Sequence, residues 1–160
     1  MTDKILQKEI VVKAPAFDVW RAWTTVRGIR RFLARDARVM MRPGGLYEIL
    51  FDPSAPPGKQ GSEGCRVLSF VPGRMLSFTW NAPPQYARSR RQAAQWVVLL
   101  FEPLDERRTR VRLYELGWKR GKEGEAVYRY FDRAWNTVVH RLAYSFEKGP
   151  IDWDHPWRPS

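Results

Sequence analysis

The hydrophobic residues change their spacing twice along the chain. Residues 4–13 show the β-branched pattern of a strand, and Pro15 then stands where a helix can begin, because a first helical turn makes no use of the N–H that proline lacks. Aromatic residues recur at helical spacing from there to Thr24, and the pattern predicts a second short helix over about 29–33. The chain therefore opens with one strand and one or two helices.

Alternation with a period of two dominates the middle of the chain. The predicted strands cover residues 38–41, 46–52, 65–71, 75–81, 95–101 and 109–116. Residues 43–45, Pro-Gly-Gly, favour a tight turn, residues 53–64 form a loop rich in proline and glycine, and residues 82–91 form a longer basic connection. This region therefore predicts a sheet of sequentially connected strands.

Helical spacing returns from about Lys122 to Lys148. One face of this segment is an apolar stripe of Val127, Phe131, Ala134, Trp135, Val138, Leu142 and Phe146. Gly149 and Pro150 end the helix. A run of strands followed by one amphipathic helix is typical of an α+β fold with an antiparallel sheet and the helix lying against it. We therefore predict a single domain over residues 1–149 and a tail over residues 150–160.

Composition narrows the function classes. The chain has 160 residues, enough for one domain with its own core, and 14% of them are aromatic, so we expect a large aromatic interior, an aromatic-lined cavity or both. One cysteine and two histidines allow no internal disulfide and little of a zinc site, so no metal or cofactor is predicted. The apolar runs are too short to span a membrane and the first residues are charged, which favours a cytoplasmic protein.

Short motifs in a fixed order run almost from end to end of the chain. They are Val19-Trp20, Pro43-Gly44-Gly45-Leu46-Tyr47, Gly61 with Gly64, Val67-Leu68 with Pro72, Leu76-Ser77-Phe78-Thr79-Trp80, the set Thr109, Val111, Leu113, Glu115 and Gly117, and Trp135 with Val139 and Leu142. In this order they resemble the START-like (SRPBCC) superfamily, and within it the activators of heat-shock protein 90 ATPase and their bacterial relatives. The resemblance implies the helix-grip fold, in which a curved antiparallel sheet of about six or seven strands wraps round a long C-terminal helix. The chain departs from many relatives at Glu115, where they carry histidine, and at residues 31–33, where they have a tryptophan.

The resemblance also implies a cavity between the sheet and the last helix. Alternation along the strands and the helix stripe supply its candidate lining, which is Tyr47, Ile49, Phe51, Leu76, Phe78, Trp80, Val111, Leu113, Glu115, Phe131 and Trp135. Aromatic walls with few polar groups suit a small apolar or aromatic ligand, with Glu115 and Tyr47 as polar contacts. The alternative is that these side chains simply fill the core.

Glu115 is predicted to point inward because it shares a strand face with Val111 and Leu113. A buried carboxylate is costly unless it is paired or neutralised. Either Glu115 contacts a polar ligand group or carries a raised pKa, or it forms a structural ion pair with an arginine near the rim of the sheet.

The sequence contains no catalytic constellation. Residues 60–64, Gln-Gly-Ser-Glu-Gly, lack the first glycine and the strand–turn–helix setting of a nucleophile elbow. Cys65 is expected to pack in a strand, and His140 is expected at the helix surface. We therefore predict a binding protein and not an enzyme. A cyclase or aromatase-type enzyme with Glu115 as acid or base, which the superfamily resemblance also implies, is kept as the third hypothesis.

The net charge of the chain and one strand that is apolar on both faces indicate what kinds of partner it could have. The net charge of +11 attracts an acidic protein or a polyanion, but no nucleic-acid-binding motif is present, so nucleic acid is not expected. Residues 96–101 are apolar on both strand faces, so the outer face needs a cover, either the tail with Trp153 and Trp157 or a second subunit in a homodimer. The family resemblance makes a co-chaperone-like module that acts on a heat-shock protein 90 ATPase the second hypothesis, after ligand binding.

Overall fold

The structure, a computed structural model, describes residues 2–160. Its elements are β1 (Leu6–Val12), α1 (Ala16–Thr24), α2 (Val26–Phe32), β2 (Asp36–Val39), β3 (Tyr47–Leu50), β4 (Val67–Val71), β5 (Met75–Trp80), α3 (Ala87–Arg91), β6 (Gln95–Asp105), β7 (Arg108–Leu116) and α4 (Lys122–Lys148). None of the helices within residues 2–160 is both long enough and apolar enough to cross a membrane.

Five of the strands form one antiparallel sheet in the order β1-β7-β6-β5-β4, and β2 pairs with β3 in a separate ribbon. Isolated bridges from Leu46 to Arg66 and from Leu50 to Gly61 connect that ribbon with the chain leading into β4. Helix α4 contacts β1 and α2, and its apolar stripe belongs to the same hydrophobic core as the sheet. The predicted α+β, helix-grip architecture is confirmed, but the main sheet has five strands and not about six or seven, because β2 and β3 pair with each other in the separate ribbon.

The core between the sheet and α4 follows from the alternation along the strands. Leu99 of β6 lies opposite Leu113 of β7, and both are fully buried, whereas Leu100 on the other face is 38% exposed. From α4, Trp135 and Leu142 enter the same core. Burial of one strand face against one helix stripe removes apolar surface from water, which favours folding.

Two element boundaries near the N-terminus differ from the prediction for local reasons. Helix α2 begins at Val26 and not near residue 29, because the Thr25 hydroxyl accepts a hydrogen bond from the Gly28 N–H (3.0 Å) and caps the helix. Strand β2 covers Asp36–Val39 and not 38–41, because pairing with β3 fixes its ends. These differences leave the predicted order of elements unchanged.

The loops beside β3 and before β6 also differ from the prediction. Strand β3 ends at Leu50, so Phe51 leaves the strand and is 45% exposed. The prediction that Phe51 shares an inward strand face with Tyr47 and Ile49 is therefore wrong. The predicted connection over residues 82–91 contains the short helix α3, which a basic, polar sequence did not indicate.

The C-terminal tail packs on helices and does not reach the outer face of β6. The Ile151 N–H donates to the Arg31 carbonyl (2.9 Å), the Trp153 indole donates to the Arg30 carbonyl (2.7 Å), and Trp157 stacks on Tyr144 with ring centroids 4.3 Å apart. The tail therefore covers α2 and the end of α4. The tail is therefore excluded as the cover of the outer sheet face, for which the sequence offered the tail or a second subunit.

Gly117 is expected to be essential to the end of β7. Its φ is +87°, and a Cβ at this position would lie 2.3 Å from the Ala94 carbonyl oxygen. Gly117→Ala should therefore destabilise the protein by the strain of that backbone conformation, about 1–3 kcal/mol, and by the clash in addition. Gly121 (φ +95°) has nothing within 4 Å of its Cβ position, so Gly121→Ala reports the strain alone. Urea denaturation of both variants measures the difference, and equal destabilisation would contradict the steric contribution.

Candidate functional site

A cavity of about 270 Å³ lies between α4, the end of β5 and the loop after β3. Its lining consists of Phe51, Asp52, Lys59, Gln60, Gly61, Trp80, Asn81, Ala82, Pro83, Pro84, Gln85, Arg90, Tyr130, Phe131, Ala134, Trp135 and Val138. Three separate parts of the chain therefore build it: the loop over residues 51–61, the chain from residue 80 to α3, and the middle of α4.

The inner wall of the cavity is aromatic. The ring centroids of Trp80 and Trp135 are 5.3 Å apart, and Phe131 lies 6.2 Å from Trp135 and 6.5 Å from Trp80. Positions 131, 134, 135 and 138 come together because residues three and four apart share one face of a helix. Phe51 contacts Trp80 edge-on at 6.3 Å and stands at the exposed mouth.

The rim of the cavity is polar. The Asp52 carboxylate accepts hydrogen bonds from the Ser54 hydroxyl (2.6 Å) and the Ser54 N–H (3.1 Å), and the hydroxyl is the main cause that lowers the pKa of Asp52. The Gln60 side-chain amide donates to the Ala55 carbonyl at 3.0 Å. Asn81 is buried, and its amide nitrogen lies 3.5 Å from the Glu63 carbonyl oxygen. These groups can orient a polar substituent of a ligand whose body lies on the aromatic wall.

The structure separates the predicted lining residues into two groups. Those on the cavity are Phe51, Trp80, Phe131 and Trp135. Those that are fully buried in the core and outside the lining are Tyr47, Ile49, Leu76, Phe78, Val111, Leu113 and Glu115. The side chains of this second group fill the core, which is the alternative to a cavity lining that the sequence left open.

Tyr47 illustrates why the second group does not face the cavity. Its hydroxyl donates to the Trp23 carbonyl (2.8 Å) and its ring stacks on Phe78 at 4.2 Å. Burial raises the pKa of the Tyr47 phenol far above its ordinary value. The side chain is therefore committed to the core on both its polar and its apolar sides.

Several lining residues were not predicted. Ala134 and Val138 belong to the stripe of α4 and could have been found from their spacing with Trp135. Lys59 and the residues from Ala82 to Gln85 carry no sequence signal for the cavity, because the loops that contain them are placed only by tertiary contacts.

Glu115 is completely buried behind Trp135. The Trp135 indole donates to one Glu115 carboxyl oxygen at 2.6 Å, and the other oxygen has no hydrogen-bond partner among residues 2–160. Burial raises the pKa of Glu115 well above its ordinary value, and the indole hydrogen bond opposes this only in part. Within residues 2–160 the Trp135 indole is the one hydrogen-bond partner of the Glu115 carboxyl and no arginine pairs with it, so the interpretation as an ion pair is wrong and the interpretation as a raised pKa is supported.

Two other side chains that could have had a chemical role, those of Ser62 and Cys65, occupy structural positions. The Ser62 hydroxyl accepts from the Ile49 N–H (2.7 Å) and donates to the Tyr47 carbonyl (3.3 Å), so it completes the backbone pairing of β3. Cys65 is buried, and burial raises the pKa of its thiol to about 11. Among residues 2–160 no group of three or more potential ligand side chains is arranged to hold a metal ion.

A variant of Glu115 tests its protonation state. Because burial raises its folded-state pKa, the stability that its proton contributes is fully present below the ordinary pKa of 4.5 and is lost as the pH rises toward the folded-state pKa. Glu115→Gln keeps a neutral acceptor of similar size for the Trp135 indole. As the pH rises above about 4.5, the free energy of unfolding of the wild type should therefore fall relative to that of the variant. Urea unfolding at a series of pH values measures the free energy of unfolding of both proteins. The other carboxylates are the same in both, so their contributions cancel in the difference between the two free energies. A constant difference would mean that Glu115 is charged in the folded protein.

Several solved structures have the same fold as this chain. Protein MLL2253 from Mesorhizobium loti superposes with a TM-score of 0.72 at 20% identity, over 92% of this chain and 100% of that chain. The Aha1 dimer from Colwellia psychrerythraea gives a TM-score of 0.68 at 16% identity, over 91% and 98% of the two chains. Protein BH1534 from Bacillus halodurans gives 0.64 at 22% identity, over 88% and 94%. At these identities the likeness establishes the fold.

Sequence comparison establishes the family. No curated protein matches the chain in sequence. A family model described as Activator of Hsp90 ATPase homolog 1-like protein matches residues 13–147, which includes every helix and strand except β1 and the last residue of α4. The chain therefore belongs to the Activator of Hsp90 ATPase homolog 1-like family, within the START-like superfamily of helix-grip proteins.

Proposed function

We propose that this protein binds a small apolar or aromatic molecule in the cavity beside α4. The observation that carries the proposal is the wall formed by Trp80, Phe131 and Trp135, which is packed from behind and faces open space in front. Aromatic surface at the base of a concave site with a few polar groups at its rim is the usual composition of a small-molecule site.

The size of the cavity limits the ligand. Its volume of about 270 Å³ is just below the roughly 300 Å³ at which small-molecule sites usually begin. A two-ring aromatic compound is therefore a suitable probe. Lys59, Gln85 and Asn81 at the rim would orient a hydroxyl, amide or acidic substituent of such a ligand.

Binding without chemistry is the simpler form of the proposal. The Glu115 carboxyl, the candidate acid or base of the enzyme hypothesis, is not part of the cavity lining and stands behind the Trp135 indole. A general acid must come within hydrogen-bond reach of the proton that it transfers. We therefore propose a binding role for the cavity and assign no reaction to it.

Filling the cavity should abolish ligand binding. Ala134→Phe places a ring in the space in front of Trp135, so the affinity for 2-naphthol should fall at least about tenfold, which corresponds to about 1.4 kcal/mol. Isothermal titration calorimetry, with quenching of tryptophan fluorescence as a second measurement, reports the affinity. Asn136→Phe adds the same ring at an exposed position of α4 and serves as the control. Equal affinities of the two variants would contradict the location of the site.

A protein-interaction role is the second candidate, and a basic cleft favours it. A cleft of about 530 Å³ between α1, α2 and the start of the tail is lined by Arg21, Arg27, Arg30 and Arg31, with Asp18 as its one acidic residue. The family description names activators of the Hsp90 ATPase. An acidic surface of such a chaperone would be attracted to this cleft by long-range electrostatics.

Stimulation of a chaperone ATPase tests the second candidate. If the basic cleft docks on an Hsp90, saturating protein should raise the ATPase rate, and the double variant Arg21→Glu/Arg27→Glu should lower that stimulation several-fold, because both side chains are exposed in the cleft. Arg107→Glu, in the exposed turn between β6 and β7, is the matched charge control. Absence of stimulation at saturation would rule this candidate out.

A further inference from the structure

The outer wall of the cavity consists of two connections that are far apart in sequence. One is the loop over residues 58–61, and the other runs from Ala82 to α3. Side-chain contacts join these two connections, and Arg90 and Glu63 lie at the centre of them. Only 15% of the Arg90 side chain and 16% of the Glu63 side chain are exposed.

Arg90 binds the carbonyl groups of both connections. One terminal nitrogen of its guanidinium donates to the Gly58 and Gly61 carbonyls, each at 2.7 Å, and the other donates to the Ala82 carbonyl at 2.7 Å. The planar, multi-donor guanidinium can reach three acceptors in fixed directions, which a lysine ammonium on a flexible stem does less well.

Glu63 binds the N–H groups of the same loop. Its carboxylate accepts hydrogen bonds from the backbone of Gly58, Gln60 (2.8 Å) and Gly61 (3.0 Å), and it lies 3.5 Å from the Arg90 guanidinium. Arg90 thus binds carbonyl groups, and Glu63 binds N–H groups, of the same short loop. Hydrogen bonds to charged groups are among the stronger ones in proteins, so the pair fixes a segment that has no regular secondary structure of its own.

Helix α3 connects this pair to α4. The Ser89 N–H and hydroxyl both donate to one oxygen of the Glu123 carboxylate, at 2.8 and 2.7 Å, in the first turn of α4. Five residues are too few for a stable isolated helix, so α3 depends on such contacts. Loop, α3 and α4 therefore form one continuous series of contacts around the mouth of the cavity.

We infer that Arg90 and Glu63 are positioning residues that build the outer wall of the cavity and thereby set how tightly it retains a ligand. The ligand part of this inference rests on the proposed binding function, whereas the wall itself can be tested without any ligand. Neither residue was marked by the sequence, because their roles arise only when residues 58–63 and 82–90 lie side by side.

Hydrogen–deuterium exchange of the ligand-free protein tests the wall. In Arg90→Ala and in Glu63→Ala, amides of residues 58–61 should exchange at least about tenfold faster, because each variant removes hydrogen bonds that close this loop. Exchange in β6 and β7 should stay unchanged. Arg88→Ala and Arg91→Ala remove exposed arginines from the same short helix and should leave the loop protected. Arg90→Lys covers the case in which Arg90→Ala does not fold. Unchanged exchange in the Arg90 and Glu63 variants would overturn the inference.

Titration with 2-naphthol tests the consequence for binding. Stopped-flow fluorescence should show faster dissociation and at least about fivefold weaker affinity in Arg90→Ala than in the wild type, with Arg88→Ala like the wild type. Faster exchange with unchanged affinity and dissociation rate would overturn the positioning role. If the wild type itself bound neither 2-naphthol nor other two-ring probes, the proposed binding function and the ligand part of the inference would both fail, while the exchange result would still decide whether Arg90 and Glu63 build the wall.

Discussion

The contact between the apolar stripe of α4 and the inner face of the sheet organises both the core and the cavity. Trp135 stands at its centre, where it contacts Trp23, Trp80 and Phe131 and donates its indole N–H to Glu115. Removal of a buried tryptophan side chain costs about 3–5 kcal/mol, a large part of the 5–15 kcal/mol that stabilises an ordinary domain. The position of this residue therefore determines both the core and the inner wall of the cavity.

The cavity exists because the covering of α4 changes character along its length. Beside Leu142 the helix is covered by packed core residues, whereas beside Ala134 and Val138 the opposing surface comes from loops. Loops held by polar contacts, such as those of Arg90 with three backbone carbonyls, cannot fill the space as completely as interdigitated side chains do. Ala134, a small residue in the middle of a large-residue stripe, keeps the space open.

The sequence predicted those parts of the fold that periodic hydrophobic burial determines. The stripe of α4 and the alternation in β6 and β7 located the inward residues, including Glu115, because each of these elements has one face in the core. It was less informative where strands end. Phe51 shows the consequence, because a strand that ends two residues earlier than expected places this ring at the cavity mouth and not in the core. The Arg90 and Glu63 contacts could not be predicted, because a loop is placed by partners far away in the chain. Of the candidate lining, residues near the helix were located more accurately than residues on the inner strands, which fill the core.

Whether the aromatic wall beside α4 receives a ligand can be seen in ¹H–¹⁵N spectra of the tryptophan indole groups during titration with 2-naphthol. We expect the indole resonances of Trp80 and Trp135 to shift, because both rings line the cavity. The indole resonances of Trp96, on the outer face of β6, and of the tail residue Trp153, whose indole donates a hydrogen bond to the Arg30 carbonyl in α2, should stay in place. Stationary Trp80 and Trp135 resonances at saturating probe, or shifts confined to Trp96 and Trp153, would contradict ligand binding at this wall.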